Sequence, residues 1–298
     1  MLDCLFIGSA TKDILMMVDA PPASDQRIAA RAVTHACGGI ASVAASAFQK
    51  LGGRAGLITA VGGSSEVTDF IRADIAGRHL PFVQLVEMDG MDSPFSVIQV
   101  ERSGKRCITY FGGCIRALTL DMLDKEALKS ARMIHLGGLD EGLLVEAAAY
   151  AKGHTDALVS VDGGNLSAPC IDAVLPYTDV FIPDDKTVAK TLGLPPEEAC
   201  RYYAGKGADM VCITLGERGS IALENGVICQ APPIAVQAVD TTGAGDNFHG
   251  AFLYALMNKW PLERILRFCN TFSGLTCRGL GGRAAEPTLE ETLREMGE

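Results

Sequence analysis

The sequence predicts an α/β fold: a mostly parallel sheet with helices on both faces. Apolar segments typical of buried strands alternate with segments of helical spacing along most of the chain, and this alternation is characteristic of a parallel sheet covered by helices. Two segments, at about residues 14–37 and 95–110, lack helical spacing. No repeat or low-complexity linker divides the chain, so we expect one domain over residues 1–298.

The first half of the chain carries strand, helix and hairpin signals. LDCLFIG reads as a buried strand that ends at Gly8, and GLITAVGG reads as another strand. Between them, small and apolar residues recur three and four positions apart in GGIASVAASAFQKLGG, which predicts a helix bounded by glycines. FSVIQVERSGKRCITYFGG alternates in polarity around Ser103-Gly104, which predicts a β-hairpin.

The second half alternates more regularly between strands and helices. The predicted strands are ARMIHLGG, DALVSVDGGN, TDVFIPD and DMVCITLGERG. The predicted helices are GLLVEAAAYAKG, the segment through Leu192, and EEACRYYAGKG. A small hairpin, SIALENGVICQ, precedes a glycine turn, and the chain closes with helices around Leu262–Cys277 and Leu289–Met296.

Composition excludes several classes of partner. The formal net charge of −10 argues against nucleic acid and against an anionic membrane surface. No apolar run reaches the roughly 18 residues that would span a bilayer. The ten cysteines are scattered singly, and Asp3 stands where a signal peptide would carry basic residues, so we expect reduced thiols in a cytoplasmic protein.

Glycine-containing loops follow several of the predicted strands. IGSATKD, VDGGN, TLGERG and DTTGAGD all lie at predicted strand ends. Ligands of parallel α/β sheets bind beyond the carboxyl ends of the strands. The sequence therefore predicts one shared cleft at that edge of the sheet.

The stretch AVDTTGAGDNFHGAFLYAL combines an anion-binding turn with a carboxylate. A helix is expected to begin near Ala244–Asp246, where free backbone amides and glycines suit a phosphate. Asp246 is either a helix cap or the base that takes a proton from a hydroxyl attacking that phosphate. No Walker A string occurs, and the match to a dinucleotide fingerprint is weak because it lies near the end of the chain.

The motifs resemble those of a known family. DTTGAGDNFHGAFLYAL is similar to the C-terminal signature of the ribokinase-like (PfkB) carbohydrate kinases, and GGIASVAASAFQKLG resembles their N-terminal signature. GSATKD, VDGGN, TLGERG and CRGLGGRAAEP follow in the family's order, so the resemblance covers nearly the whole chain. It implies one ribokinase-like α/β domain with a small β lid formed by residues 14–37 and 95–110. It also implies a sugar or nucleoside acceptor, and ATP with Mg²⁺ as the donor.

The resemblance also implies roles for individual residues. Asp246 would be the catalytic base, and the amides of Gly243, Ala244 and Gly245 would form the anion hole. The residues that would bind the acceptor are Asp13, Gly38, Gly39 and Ser42. The residues along the nucleotide would be Thr214, Gly216 and Gly219, together with Gly243 and Gly245. Asp240 and Thr242, near Gly282, match a region where many relatives hold a monovalent cation such as K⁺, and relatives often dimerise through the lid.

The sequence departs from the family's pattern at several positions. Ser42 replaces the usual Asn, and Asp184-x-x-Thr187 replaces the NxxE motif, so that Asp184 would reach Mg²⁺ through water. Glycines in IHLGGLD stand where ribokinase proper has an acidic sugar contact, so ribose is not favoured. CRGLGGRAAEP is closest to relatives in the ketohexose and sulfosugar kinase branch.

Several charged or aromatic residues allow more than one interpretation. Arg27 and Arg31 would reach an acidic acceptor group or remain solvated, and Arg283 would approach the ATP phosphates or lie on the surface. We expect His249 to lie on a helix surface, although it follows Asp246 closely enough to support it. Phe95, Tyr110 and Phe111 are the aromatic residues that a nucleoside would need.

The leading interpretation is an ATP-dependent kinase that phosphorylates a hydroxyl of a small sugar. A nucleoside kinase is the alternative enzyme. A sugar- or nucleotide-binding regulator of the same fold is the alternative from another class, motivated by Ser42 and Thr187 and opposed by the intact Asp246. A dinucleotide enzyme is the most distant alternative.

Overall fold

The computed structural model describes residues 1–298, and its core is a nine-stranded sheet. The strands of this sheet are β1 (Leu2–Gly8), β4 (Ala55–Gly62), β5 (Phe82–Met88), β8 (Ala131–Gly137), β9 (Leu158–Asp162), β10 (Val180–Ile182), β11 (Met210–Thr214), β12 (Ser220–Glu224) and β13 (Val227–Ala231). Their spatial order is β13-β12-β11-β10-β9-β8-β1-β4-β5. All neighbouring pairs are parallel except β11–β12 and β12–β13, so the predicted fold class is confirmed.

Ten helices cover the two faces of this sheet. They are α1 (Ile40–Lys50), α2 (Glu66–Gly77), α3 (Lys125–Ser130), α4 (Glu141–His154), α5 (Ala168–Val174), α6 (Asp185–Thr191), α7 (Pro196–Gly205), α8 (Ala244–Met257), α9 (Leu262–Thr276) and α10 (Leu289–Met296). One core of 39 buried residues lies between the sheet and α3, α4, α5, α6 and α7. A second core of 33 buried residues involves α1, α2, α8 and α9 on the other face.

A separate four-stranded sheet is formed by the segments expected to be the lid. Its strands are β2 (Thr11–Val18), β3 (Ala32–Gly38), β6 (Phe95–Glu101) and β7 (Arg106–Phe111), in the order β3-β2-β6-β7. The predicted hairpin is the antiparallel pair β6–β7. Strand β2 begins at Thr11, so Asp13 lies within a strand of the small sheet and not, as predicted, in the turn after β1.

The sequence signals missed one strand and three helices. Helix α2 and the edge strand β5 lie in one stretch for which no element was predicted, and the short helices α3 and α5 lie in two others. Strand β5 is only partly buried, because it has a neighbour on one side alone. Its apolar content is correspondingly diluted by polar residues, which weakens the pattern that marks a buried strand.

Two further features of the fold are the environment of the cysteines and the length of the helices. All ten cysteines are free, and most of them are buried. Desolvation raises the pKa of the buried thiols of Cys4, Cys212 and Cys269 well above the usual value, so they are poor nucleophiles. No helix has both the length and the apolar content that crossing a bilayer requires.

Candidate active site

The glycine turn before α8 is held in place by backbone shape and by one amide side chain. Gly243 is the N-cap residue with a φ of 72°, and a Cβ added to it would stand 2.7 Å from the Cα of Gly282. Asn247 Nδ2 donates to the carbonyl oxygens of Gly243 at 2.9 Å and Gly282 at 2.6 Å. Position 243 therefore requires a glycine both for its left-handed conformation and for the close approach of the second loop.

Three backbone amides at this turn are free to bind an anion. The N–H groups of Gly243, Gly245 and Asp246 donate to no group in the chain, whereas Ala244 N donates to Thr241 O at 3.2 Å. The anion hole was predicted to consist of the amides of Gly243, Ala244 and Gly245. The amide of Ala244 does not fit this prediction, because it already donates to the carbonyl oxygen of Thr241. Free amides at a helix N-terminus attract negative charge.

Asp246 lies in the first turn of α8 but does not cap it. Its carboxylate accepts no hydrogen bond from the chain, and α8 has no side-chain cap. Desolvation, and then the neighbouring Asp162, raise the pKa of Asp246 to about 7. A carboxylate with no committed partner and a pKa near the working pH is suited to general-base catalysis.

A first cavity of about 620 Å³ lies in front of Asp246 and is covered by the small sheet. We call it the acceptor cavity. Its polar lining includes Asp13, Asp162 and Asp246 with Ser9, Thr11, Ser96 and Asn165. Its apolar lining consists of Tyr110, the only aromatic side chain, and Ile40, Ile98, Ile108, Ile115, Leu139, Leu144 and Leu166. A bound molecule would therefore meet both hydroxyl acceptors and aliphatic carbon.

Asp13 and the two glycines of the first signature form one packed unit. A Cβ on Gly38 would lie 2.0 Å from Asp13 Oδ2, and one on Gly39, whose φ is 93°, would lie 2.5 Å from the carbonyl oxygen of Ser9. Thr11 Oγ1 donates to Asp13 Oδ1 at 2.9 Å. Desolvation raises the pKa of Asp13 to about 6, opposed by hydrogen bonds from Thr11 and Ser96. Asp13 and Gly39 line the acceptor cavity, whereas Gly38 does not.

Ser42 does not line the acceptor cavity, so its predicted role as an acceptor contact is not supported. Its side chain is buried in α1, and its hydroxyl donates to the carbonyl oxygen of Gly38 at 3.0 Å. Serine is short enough to bond to the backbone four residues earlier in a helix. Ser42 thus supports the position of Gly38 instead of reaching the cavity.

A second cavity of about 740 Å³ lies on the other side of the glycine turn, and we call it the nucleotide cavity. The predicted residues Thr214, Gly216 and Gly219 line it, as do Gly245 and the side chain of Lys186. Gly219 has a φ of 85°, and a Cβ there would stand 2.1 Å from the carbonyl oxygen of Ala231. A Cβ on Gly245 would meet open space, so its absence leaves room for a ligand beside the free amides.

Arg106 is the one cationic side chain that lines both cavities. It lies at the start of β7 and donates from Nη1 to Thr241 Oγ1, just before the glycine turn. Sequence reasoning missed this residue because the turn lies far from it along the chain and only the fold brings the two together. Its position suits a negatively charged group that passes between the cavities.

The residues predicted to bind metal ions are Asp184, Asp240 and Thr242, and each already makes hydrogen bonds within the chain. Asp184 caps α6 by accepting from Thr187 N at 2.7 Å, and it lines neither cavity. Asp240 is buried and accepts from Thr242 N and Oγ1 and from Gly281 N. No group of three or more histidine, cysteine or acidic side chains is arranged so that it could hold a metal ion.

Other predicted contacts lie away from both cavities. Arg27 is exposed, and Arg31 pairs with Asp19 at the surface. Arg283 is neither at the phosphates nor on the surface: it is buried, donates to Cys37 O and pairs with Asp74 at 2.6 Å.

His249 is buried inside the protein, which corrects the expectation of a surface position. Helix α8 is packed on nearly all sides, and Asn247 through Ala255 are all buried.

Comparison with known proteins agrees with this arrangement. The model of the pfkB family of carbohydrate kinases matches residues 1–289. The chain is 25% identical over 309 residues to a deoxyribokinase of Salmonella typhi, covering 97% of each protein. It is 22% identical over 298 residues to a nucleoside kinase of Methanothermobacter thermautotrophicus, covering 99% of this chain and 95% of that one.

A solved structure has the same fold. The putative ribokinase II of E. coli, solved in complex with ATP and Mg²⁺, superposes with a TM-score of 0.85 at 19% identity, covering 100% of this chain and 99% of that one. The protein therefore belongs to the pfkB family of carbohydrate kinases, in agreement with the resemblance of its two signature motifs.

Proposed function

We propose that this protein transfers the γ-phosphoryl group of ATP to a hydroxyl of a small sugar bound in the acceptor cavity. One observation carries the proposal. A single turn at the start of α8 presents Asp246 to the acceptor cavity and Gly245 to the nucleotide cavity. A base and an anion site that adjoin in this way are what in-line phosphoryl transfer requires.

The residues of the turn have separate tasks in this reaction. Asp246 takes the proton of the attacking hydroxyl as the oxygen–phosphorus bond forms. The free amides of Gly243 and Gly245, with the guanidinium of Arg106, stabilise the negative charge of the transferring group. Mg²⁺, when bound with ATP, neutralises phosphate charge, and Asp184 is the carboxylate through which a metal-bound water would be held.

The acceptor is proposed to be a sugar, including a ketohexose, because Asp13, Asp246 and several hydroxyl side chains line the cavity. A nucleoside is the second candidate. The aliphatic side chains and Tyr110 would accommodate a base, and a nucleoside kinase is among the similar proteins. Phe95 and Phe111 pair with each other at 5.4 Å and do not line the cavity, which leaves one aromatic side chain for stacking.

The test is a coupled assay of ADP release with purified protein, Mg·ATP and separate panels of ketohexoses, pentoses, deoxysugars and nucleosides. We expect release to depend on one acceptor class, and mass spectrometry of the product would identify the phosphorylated compound. Asp246→Asn serves as the negative control. Binding of sugar and ATP without any ADP release would instead support the regulatory alternative.

We further propose that the small sheet acts as a lid and contributes Arg106 to the reaction. Arg106→Ala should lower kcat by roughly 10²-fold, as expected when one donor to the transferring group is lost. Arg102→Ala is the matched control, since that arginine, also from the β6–β7 hairpin region, pairs with Asp19 and lines neither cavity. Equal kcat values for the two variants would remove Arg106 from the mechanism.

A homodimer through the lid is proposed from its exposed apolar residues. Val33 on the edge strand β3 and Phe111 on the edge strand β7 are exposed, and neither lines the acceptor cavity. Open strand edges and exposed apolar side chains favour pairing with another chain. Sedimentation analysis of the wild type and of Val33→Lys tests this, with dissociation expected only for a lid dimer.

Two further assignments complete the proposal. A monovalent cation such as K⁺ would bind near Asp240 and Thr242, and replacing K⁺ with tetramethylammonium in the assay tests that dependence. A cytoplasmic location is supported by the reduced, buried cysteines, which are typical of a reducing compartment.

A further inference from the structure

A second carboxylate, Asp162, lies in the acceptor cavity next to Asp246. It ends strand β9, and its side chain is only 9% exposed. Oδ1 accepts from Gly164 N at 2.7 Å, which fixes the orientation of the carboxyl group. Oδ2 lies 3.9 Å from Nδ1 of His249. Asp162 therefore has one oxygen held by the backbone and the other directed towards an imidazole.

His249 lies one helical turn after Asp246 on α8 and is the group behind Asp162. Its side chain is 5% exposed, and its Nδ1 has no hydrogen-bond partner. Its ring packs edge-on against that of His135 at 5.2 Å. The two buried imidazoles differ in one respect: His135 Nδ1 already pairs with Ser160 Oγ at 3.0 Å, whereas His249 Nδ1 faces Asp162.

We propose that Asp162 binds an acceptor hydroxyl beside Asp246 and keeps that base strong by its negative charge, and that His249 holds Asp162 in position as a neutral imidazole. This inference rests on the proposed kinase function. His249 is a positioning residue here. Its Nδ1 lies 3.9 Å from Asp162 Oδ2, and the Nδ1–H donates to that oxygen once binding of the acceptor brings the two side chains closer. Catalytic hydrogen bonds often shorten in this way when the substrate binds.

Burial favours the neutral form of both side chains, so the imidazole of His249 is uncharged, whereas the negative charge of Asp162 is present only at pH values near or above its raised pKa. Burial lowers the pKa of His249 to about 4, opposed by Asp246 and Asp184. Burial raises the pKa of Asp162 to about 7, opposed by the hydrogen bond from Gly164 and assisted by Asp184. The charged and titratable groups around this cluster are Asp13, Arg106, His135, Asp184 and Asp246. Because Asp162 raises the pKa of Asp246, its neutralisation should make Asp246 a weaker base.

The first experiment compares the pH dependence of kcat/KM in the wild type and in Asp162→Asn. We expect the acceptor KM to rise about tenfold and the midpoint of the acidic limb to fall by roughly one pH unit, with the KM for Mg·ATP unchanged. An unchanged profile and an unchanged acceptor KM would overturn the role of Asp162.

The second experiment uses the geometry of two amides to test His249. In His249→Asn the amide nitrogen occupies about the place of Nδ1, whereas in His249→Gln it occupies about the place of Nε2. We expect His249→Asn to retain kcat/KM within about threefold and His249→Gln to lose more than about tenfold, the size of one hydrogen bond to a charged group. His135→Asn is the control and should behave as the wild type. Equal losses in the two His249 variants would mean that the residue only fills space.

A third measurement does not depend on turnover. ¹⁵N NMR of labelled histidines should show His249 protonated at Nδ1 in the wild type, and this preference should disappear in Asp162→Asn. An Nε2–H tautomer in both proteins would overturn the positioning role. Failure of the proposed function is distinguishable, because it would appear as a wild type that releases no ADP with any acceptor.

Discussion

At the residue scale, burial gives the acceptor cavity its chemistry. An exposed aspartate is too weak a base to accept a proton from an alcohol, but desolvation and a neighbouring carboxylate bring the pKa of Asp246 to about 7. The same causes act on Asp162, and desolvation acts on Asp13. These three carboxyl groups line the same cavity, and burial disfavours their ionised forms until hydroxyl groups of an acceptor donate hydrogen bonds to them.

The substitution Asp246→Asn tests whether Asp246 acts in catalysis or only supports the structure. The amide keeps the size of the carboxyl group, and no hydrogen bond is lost, since the carboxylate has no partner in the chain. We expect kcat to fall by about 10²–10⁴-fold, which is typical of losing a general base. Affinity for Mg·ATP, measured by calorimetry, should hold or rise because a negative charge beside the γ-phosphate is gone. Retention of more than about a tenth of kcat would contradict the mechanism.

Asp13→Ala should weaken acceptor binding while leaving nucleotide binding intact. Asp13 lines the acceptor cavity and not the nucleotide cavity. Losing a hydrogen bond to a charged group costs about 1.5–3 kcal/mol. The acceptor KM should therefore rise between roughly tenfold and a hundredfold. Steady-state kinetics with each substrate varied in turn checks this, and an unchanged acceptor KM would place Asp13 outside the binding site.

Residues near a signature motif could be predicted from the sequence, and residues brought in by tertiary contacts could not. Asp246, Asp13 and the glycines were found because their spacing carries a local constraint. Asp162 lies at the end of a strand, in VDGGN. The sequence predicted that this loop borders the ligand cleft, but it assigned no role to the carboxylate of Asp162. Arg106 meets the glycine turn through a contact between positions 106 and 241, and no local pattern reports such a contact.

At the element scale, the N-terminus of α8 is the piece of structure on which both cavities depend. The second loop around Gly282 presses against Gly243, and Asn247 ties the two together. The sequence predicted where α8 begins but not which side of it is exposed. The helix is enclosed on nearly all sides, so apolar spacing could not show that His249 points into the protein.

Gly243→Ala and Gly245→Ala form a matched pair that tests this element. At position 243 the left-handed φ and the contact with Gly282 should cost about 1–3 kcal/mol of stability. Gly245 lies in α8 with open space before it, so Gly245→Ala should leave the melting temperature nearly unchanged and raise the KM for Mg·ATP. Thermal unfolding and ATP kinetics check both expectations.

The opposite pattern, with stability lost at 245 and not at 243, would contradict the arrangement of the turn. Gly245 is helical and does not have a positive φ, so a side chain at this position would not conflict with the backbone conformation. A larger substitution such as Gly245→Val would therefore act by filling the nucleotide cavity beside the free amides.

At the scale of the whole molecule, function is carried by the boundary between the large sheet and the small one. The two cores and the parallel sheet could be predicted from alternating strand and helix patterns. The pairing of β2 with β6, which are far apart in the chain, could not, because register between distant strands leaves no local signal. That pairing is what places Asp13 and Arg106 over the same edge of the large sheet.

The molecule also carries a stability cost that depends on pH. Four desolvated carboxyl groups, those of Asp13, Asp162, Asp246 and Glu286, have pKa values raised to about 6, 7, 7 and 7. Because these folded-state values exceed those of the unfolded chain, the folded protein binds more protons between about pH 4 and pH 7. The free energy of unfolding should therefore decrease as the pH rises through this range and level off above it, as far as these groups determine it.

Asp246→Asn should remove part of this cost, so that the variant is more stable than the wild type at pH 8 and similar to it near pH 4. A carboxyl group whose pKa is one unit higher in the folded protein than in the unfolded chain destabilises the fold by about 1.4 kcal/mol at high pH. The gain at pH 8 should thus be visible as a rise of a few degrees in melting temperature. Glu66→Gln is a control of opposite sign, because Lys12 lowers the pKa of that exposed carboxylate. Its removal should not stabilise the protein at pH 8. If Asp246→Asn melts no higher than the wild type at pH 8, the carboxylate is not held in a desolvated, basic state, and its assignment as the proton acceptor loses its physical basis.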